Sequence, residues 1–258
     1  MRKAIFIALF LVLSICFVLA QDNWHIAKST HFIIHYKNAK GDFIEDLIER
    51  AEDYYYRIAE ALGFRRYNFW LWDNRAKIYI YNDLKEYQMA TGQPSWSQGA
   101  TLPKDKIIYT FVGQKGFFET ILVHEMGHII FREFVGFDNP AVPLWLDEGV
   151  ASYQEKMRVK LAKEIIHKAY KENKFYSLQK LNQVNLLNIF NPEFANLFYA
   201  EAVSIVNYLI KEFGVDNFVL FCQALRDKRD LERAISYAYP FRDIQGLDKA
   251  WQRYLLKE

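Results

Sequence analysis

Two histidines and a glutamate sit inside one of the most apolar stretches of the chain. From Gly116 to Val135, Phe117, Phe118, Ile121, Leu122, Ile129, Ile130, Phe131 and Phe134 recur at helical spacing, which predicts a buried helix. Gly136 and the run Asp138-Asn139-Pro140 end it. His124, Glu125 and His128 fall inside. Left without partners there, each would cost on the order of several kcal/mol. Histidines at i and i+4 share one helix face. Both imidazoles can then reach one metal ion at about 2.0–2.1 Å. A glutamate directly after the first histidine can face a water on that metal and act as general base. The bland alternative is a pair of core histidines bonded to backbone or side chains.

A zinc site that does chemistry has three protein ligands and one open position. Glu148, 20 positions past His128 in the segment Leu144–Ala151, is the candidate third ligand. The interval leaves room for the first helix to end, for a loop containing Pro140 and Pro143 to turn, and for a second helix to return antiparallel. Asp147, next to it, competes for the role.

His124-Glu125-x-x-His128 followed by Trp145-Leu146-Asp147-Glu148-Gly149-Val150-Ala151 resembles the peptidase MA-like, gluzincin-type metallopeptidases, relatives of thermolysin. The resemblance runs from about Thr30 to Lys211 and is specific at these two blocks. It implies zinc, one ion per chain, held by His124, His128 and Glu148, with Glu125 deprotonating the water. Phe198-Tyr199-Ala200-Glu201-Ala202 matches the start of the helix whose tyrosine hydrogen-bonds the oxyanion in related enzymes, so the resemblance gives Tyr199 that role. Packing is the plainer reading of one tyrosine among 17. Thermolysin has an aspartate four residues after its ligand glutamate, orienting a zinc histidine; this chain has Ser152 there. The groups behind the histidines must differ; the sequence does not name them, though Asp147 is a candidate. Aminopeptidases of related type carry an acidic G-x-M-E-N segment upstream. The comparable Gln98–Pro103 has no acidic residue, which argues against aminopeptidase specificity.

Arg2 and Lys3 precede an apolar run from Ala4 to Ala20, the pattern of a secretory signal peptide. The expectation is a mature, extracytoplasmic chain beginning at Gln21. An uncleaved membrane anchor over residues 4–20 is the alternative. Cleavage also removes Cys16 and leaves Cys222 alone, so no disulfide forms within the mature chain. Cys222 lies in an apolar segment and reads as a buried, inert thiol. Arg2 and Lys3 account for the net charge of +2. No basic block points to nucleic acid.

Strands are expected at Thr30–Tyr36, Lys77–Tyr81 and Lys106–Val112, and helices at Asp42–Leu62 and near Asp83–Ala90, with Thr91–Pro103 a loop. His31, Ile33 and His35 share one strand face, as exposed residues rather than a second metal site. Lys106–Val112, as an antiparallel edge strand, would pair with an extended peptide, as in the resembled family. Beyond Glu148 the pattern is helical. Ala151–Lys171 reads as one long helix, Ser177–Leu181 as a connector, Pro192 as a turn before a helix at Asn196–Phe213. Further helices follow near Asp216–Leu225, Asp230–Ala238 and from Trp251 to Leu256. Strands and helices first, then helices only, make an α+β class: residues 1–20 a signal, 21–258 one domain, α+β to about 136 and helical from about 137.

The leading expectation is a secreted or surface zinc metallopeptidase acting on peptide or protein substrates. Against it stand a scaffold domain that keeps a structural metal, and a zinc hydrolase of a non-peptide amide. An intact Glu125 speaks against the scaffold, since a structural site has no need of a base.

Overall fold

The computed structural model describes residues 24–64, 70–93, 97–113, 116–185 and 191–255; the proposed signal segment lies outside them. Alternation of side chains sets the sheet. Strands β1 (His25–Lys28), β2 (Phe32–Tyr36), β3 (Ala76–Tyr81), β4 (Ala100–Leu102) and β5 (Ile107–Phe111) lie in the order β1-β2-β3-β5-β4. The central pairs β2/β3 and β3/β5 are parallel, and the outer pairs are antiparallel. Phe32 and Ile34, Ala76 and Ile78, and Ile108 are buried on one face, as period-two patterning requires. Helix α1 (Gly41–Ala61) buries Ile44, Leu47, Ala51, Tyr55 and Ile58 at helical spacing. It ends where Gly63 takes a positive φ of 75°, a conformation that costs glycine little. The other sheet face carries a smaller cluster of Tyr81, Tyr87 and Phe111, to which helix α2 (Leu84–Thr91) contributes Tyr87.

The chain is α+β, as expected. After β5, a π-helical stretch, Phe117–Leu122, leads into α3 (Val123–Val135). Then come α4 (Leu144–Tyr153), α5 (Arg158–Lys171), α6 (Leu178–Leu181), α7 (Pro192–Phe213), α8 (Val215–Lys228), α9 (Leu231–Ala238) and α10 (Ile244–Leu255). One cluster of buried residues runs from Phe32 and Ile34 on the sheet through α3, α4 and α7 to Leu247 and Trp251. The sheet and the helical half therefore share a core. Among the described residues, no helix is long and apolar enough to cross a membrane. Cys222 is buried, and burial pushes its thiol pKa well up.

Several expectations need correction. The strand Lys106–Val112 is not an edge: β5 is flanked by β3 and β4. The edge on that side of the sheet is β4, which forms within the stretch expected to be a loop, because Ala100–Leu102 pairs antiparallel with Ile107–Tyr109. The single helix Ala151–Lys171 is two helices. The amides of Gln154 and Glu155 bond to the carbonyls of Ala151 and Ser152, and these tight turn bonds let the chain change direction before Arg158. The connector Ser177–Leu181 contains the short helix α6, because the Ser177 hydroxyl caps the Lys180 amide. Pro192 does not precede its helix but opens α7, where the missing amide costs nothing, and Asn191 caps it by accepting from the Glu193 and Phe194 amides. His31 is not an exposed strand residue. It lies just before β2, only 2% exposed, with its backbone amide and Nδ1 on the two Glu52 carboxylate oxygens at 2.9 and 2.6 Å. Its ring stacks on Tyr55 at 3.9 Å.

Two glycines let the helices around the histidines approach closely. A Cβ on Gly127 in α3 would stand 2.9 Å from the Ala151 Cα in α4. A Cβ on Gly149 in α4 would stand 2.5 Å from the Ala202 carbonyl oxygen in α7. Both clashes are with backbone, which cannot swing aside. Gly149→Ala should therefore destabilise by about 1–3 kcal/mol through overpacking, although alanine by itself favours a helix by roughly 1 kcal/mol. Thermal unfolding reads this as a drop of several degrees; a raised melting temperature would show that this contact does not set the α4–α7 spacing.

Candidate metal centre

Helices α3 and α4 pack so that their polar residues meet. His124 and His128 lie one turn apart on α3, and Glu148 is one turn into α4. The two Nε2 atoms stand 3.2 Å apart. Glu148 Oε2 lies 3.5 Å from each of them. Among the described residues, these three form the one group of histidine, cysteine or acidic side chains arranged to hold a metal ion. The ligand atoms of a tetrahedral ion bound at about 2.1 Å stand about 3.4 Å from one another. The triangle has that edge, so the residues fit a small tetrahedral cation.

The nitrogens facing away from the triangle are also held. His124 Nδ1 donates to Glu155 Oε1 at 2.9 Å, and His128 Nδ1 donates to Asp147 Oδ1 at 3.2 Å. Each bond fixes the ring's orientation and leaves Nε2 free to ligate. Arg132 holds Asp147 in turn, with Nε and Nη2 at 2.9 and 2.8 Å from Oδ2. Asp147 is thus turned to His128 and Arg132, and Glu148 is the carboxylate that faces both Nε2 atoms. Glu155 was not singled out in the sequence. Ser152, where the resemblance calls for an acid, is buried with its hydroxyl unpartnered. Glu155, seven residues past Glu148, does the orienting instead. Helical periodicity could not have found it, because Glu155 lies past the end of α4 in the turn before α5.

This is an acid-rich, enclosed environment. Burial works against a charged His124, but Glu148 and Glu155 outweigh it and raise its pKa to about 9. His128 is likewise held well above its usual range, chiefly by Asp147 and Glu148 against the effect of burial. Glu148 is only 8% exposed; burial would raise its pKa, yet the two imidazoles lower it strongly. Without a metal, protons on the histidines balance the carboxylates. A bound dication takes the place of those protons.

Glu125, between the histidines on α3, lines a cleft of about 260 Å³ together with Ser97, Gln98, Gly99, Ile121 and Glu155. Gly99 admits the edge strand here: a Cβ on it would meet Ile121 Cγ2 at 2.6 Å. A larger hollow of about 520 Å³, between α5 and the start of α7, contains none of the candidate residues. Tyr199, in the second turn of α7, is half-buried. Burial and then the charge of Glu148 raise its pKa, with Glu125 and Glu155 adding to the rise and Arg158 opposing it. The phenol thus stays protonated. His35 is not part of a second metal group; it stacks on Tyr79 at 4.4 Å.

Metal analysis of the gently purified protein should find about one zinc per chain, lost in His124→Ala and His128→Ala. Glu148→Ala should weaken binding more than Asp147→Ala. Glu155→Gln should cost about 10–100-fold in zinc affinity, as loss of an orienting partner does. Unchanged affinity in Glu155→Gln would remove it from that role.

No curated protein matches the sequence. A family model, that of the peptidase MA superfamily, matches residues 71–257. The match extends past Lys211 to the last helix and begins only after α1, so it is shifted toward the C-terminus from the extent read in the sequence. It takes in β3 and β5, the edge strand, the whole metal triangle and Tyr199. On this match the chain belongs to the peptidase MA superfamily.

Proposed function

We propose that the protein is a zinc-dependent peptidase of the gluzincin type, with His124, His128 and Glu148 as ligands and Glu125 as general base. The triangle of two Nε2 atoms and one carboxylate oxygen, with both Nδ1 atoms held from behind, carries the reading. Zinc bound there would supply a Lewis acid that makes a water acidic near neutral pH and polarises a carbonyl. Glu125 takes the proton of the attacking water and returns it to the departing amine. The Tyr199 hydroxyl donates to the oxyanion as its charge develops. Among the described residues the outer edge of β4 is unpaired, and an extended peptide can add to it as a further strand, running past Gly99 and Glu125. Gln98 and Gly99 line the cleft, and no acidic side chain stands on that strand to hold a substrate's free amine. This supports cleavage within chains or near C-termini over aminopeptidase action.

The proposed location is extracytoplasmic, on the strength of the basic start and the apolar run from Ala4 to Ala20. The mature chain then runs from Gln21 as one domain.

Glu125→Gln keeps the shape and removes the base. Turnover of peptides identified by cleavage profiling of the zinc-loaded wild type should fall by about 10²–10⁴-fold, with zinc content and folding retained. Undiminished turnover would exclude Glu125 as the base. In Tyr199→Phe, kcat should fall about 10²–10³-fold with KM little changed, the signature of a donor that acts only in the transition state. Normal kcat would leave Tyr199 a packing residue, and an early-melting variant would mark a buried structural bond.

A further inference from the structure

Arg158 is a cation beside Tyr199 that the mechanism above does not use. It opens α5, three residues after Glu155, and its backbone amide bonds to the Glu155 carbonyl. Its guanidinium carbon lies 5.7 Å from the centre of the Tyr199 ring. Nε is buried and has no hydrogen-bond partner. Among the described residues, no carboxylate pairs with this guanidinium. That is unexpected beside Tyr199, whose own phenol feels the charges of Glu148, Glu125 and Glu155. The nearest acid in sequence, Glu155, is committed to His124. The start of α5 adds to the positive potential: the helix has no side-chain cap and no acidic residue in its first turn, so the positive end of its dipole is not offset there. An arginine at this end of a helix is disfavoured by the same dipole, and the one compensating contact is the Tyr199 ring face.

An unneutralised guanidinium over the face of the proposed oxyanion tyrosine is therefore placed to meet substrate. Its planar fork matches a carboxylate with two parallel hydrogen bonds. The cleft carries Glu125 and Glu155 and would repel an anionic substrate unless a cation received it. We infer that Arg158 is a specificity-determining residue that binds a carboxylate of the peptide substrate close to the bond cut. This rests on the peptidase reading above. The carboxylate has two sources, a free chain terminus and an Asp or Glu side chain, and the test separates them.

Zinc-loaded Glu125→Gln protein, in which the proposed base is absent, serves as the binding form. Fluorescently labelled heptapeptide pools are compared by anisotropy: one with free C-terminal carboxylates, one with carboxamides, and two amidated pools with and without Asp and Glu. At least one carboxylate-bearing pool should bind about 10- to 100-fold more tightly than its neutral counterpart, the span expected for hydrogen bonds to a charged group. A preference for the free terminus alone marks a C-terminal specificity; a preference for acidic side chains alone marks an internal one. Adding Arg158→Ala should bring the ratio to about one, and Arg158→Lys should keep only part of it, since the charge remains and the fork is lost. Arg158→Gln keeps the stem's packing and serves if the alanine variant does not fold, with zinc content reporting an intact site. Equal binding of all pools by the Glu125→Gln protein, or a preference that survives loss of Arg158, overturns the assignment alone. No peptide binding at all, with zinc retained, overturns the peptidase reading and this inference with it.

Discussion

The structure is organised around charge removed from water. Glu125, Asp147, Glu148 and Glu155 gather about two imidazoles and one guanidinium, Arg132, between α3, α4 and the turn that follows α4. Buried charges survive only when paired and hydrogen-bonded, and here every imidazole nitrogen faces a partner. The balance still leaves the acids in excess. Protons on the histidines offset it in the metal-free protein, which is why both imidazoles hold protons more tightly than usual. A small dication is the better counter-charge, because one ion answers all three inward-facing ligand atoms at once. The same cluster would be costly in a protein that never bound metal.

Holding those groups together demands close helix contact, and the sequence supplies it at two positions where only hydrogen fits. Gly127 brings α3 against Ala151, and Gly149 brings α4 against the Ala202 carbonyl. One follows the proposed base by two residues; the other directly follows the third ligand. The motif glycines are thus packing residues with a chemical consequence: they set how near Glu148 stands to the imidazoles, and how near α7, which carries Tyr199, stands to Glu148. The π-helical stretch Phe117–Leu122 works on the other side. Its wider turns rotate the chain less per residue than α-helix does, so the face on which α3 presents His124 and His128 differs from that of a continuous helix begun at Phe117. Such stretches are frequent at functional sites.

What could be read in the sequence was what depends on local periodicity. The spacing of His124 and His128 fixes their shared face regardless of the fold, and the apolar rhythm of α1, α3 and α7 follows directly from burial. Glu148 was legible through its segment rather than through geometry. Features set by distant partners were not. β4 has only three residues, and its existence depends on β5 lying alongside. The break after Tyr153 is hidden, because Gln154–Met157 includes no proline or glycine; turn hydrogen bonds and the bond from His124 to Glu155 decide it. His31 looked like one of an alternating pair on a strand, and only the approach of Glu52 from α1 makes it a core residue.

Moving the orienting acid from the usual helical position to the turn after α4 has a structural consequence. An aspartate four residues past the ligand would belong to the same rigid helix as Glu148, and ligand and orienter would move together. Glu155 belongs instead to the turn that launches α5. Its longer side chain reaches back to His124, so the start of α5 is tied to a metal ligand. That turn also delivers Arg158 to the face of Tyr199. One short segment, Gln154–Arg158, therefore fixes a histidine, packs a cation on the proposed oxyanion donor and forms part of the cleft wall through Glu155. A shift of this turn on binding substrate would be felt at once by His124 and by Tyr199. If substrate binds Arg158 as proposed and shifts this turn, metal affinity and substrate affinity become coupled, and linkage requires that coupling to be equal in both directions.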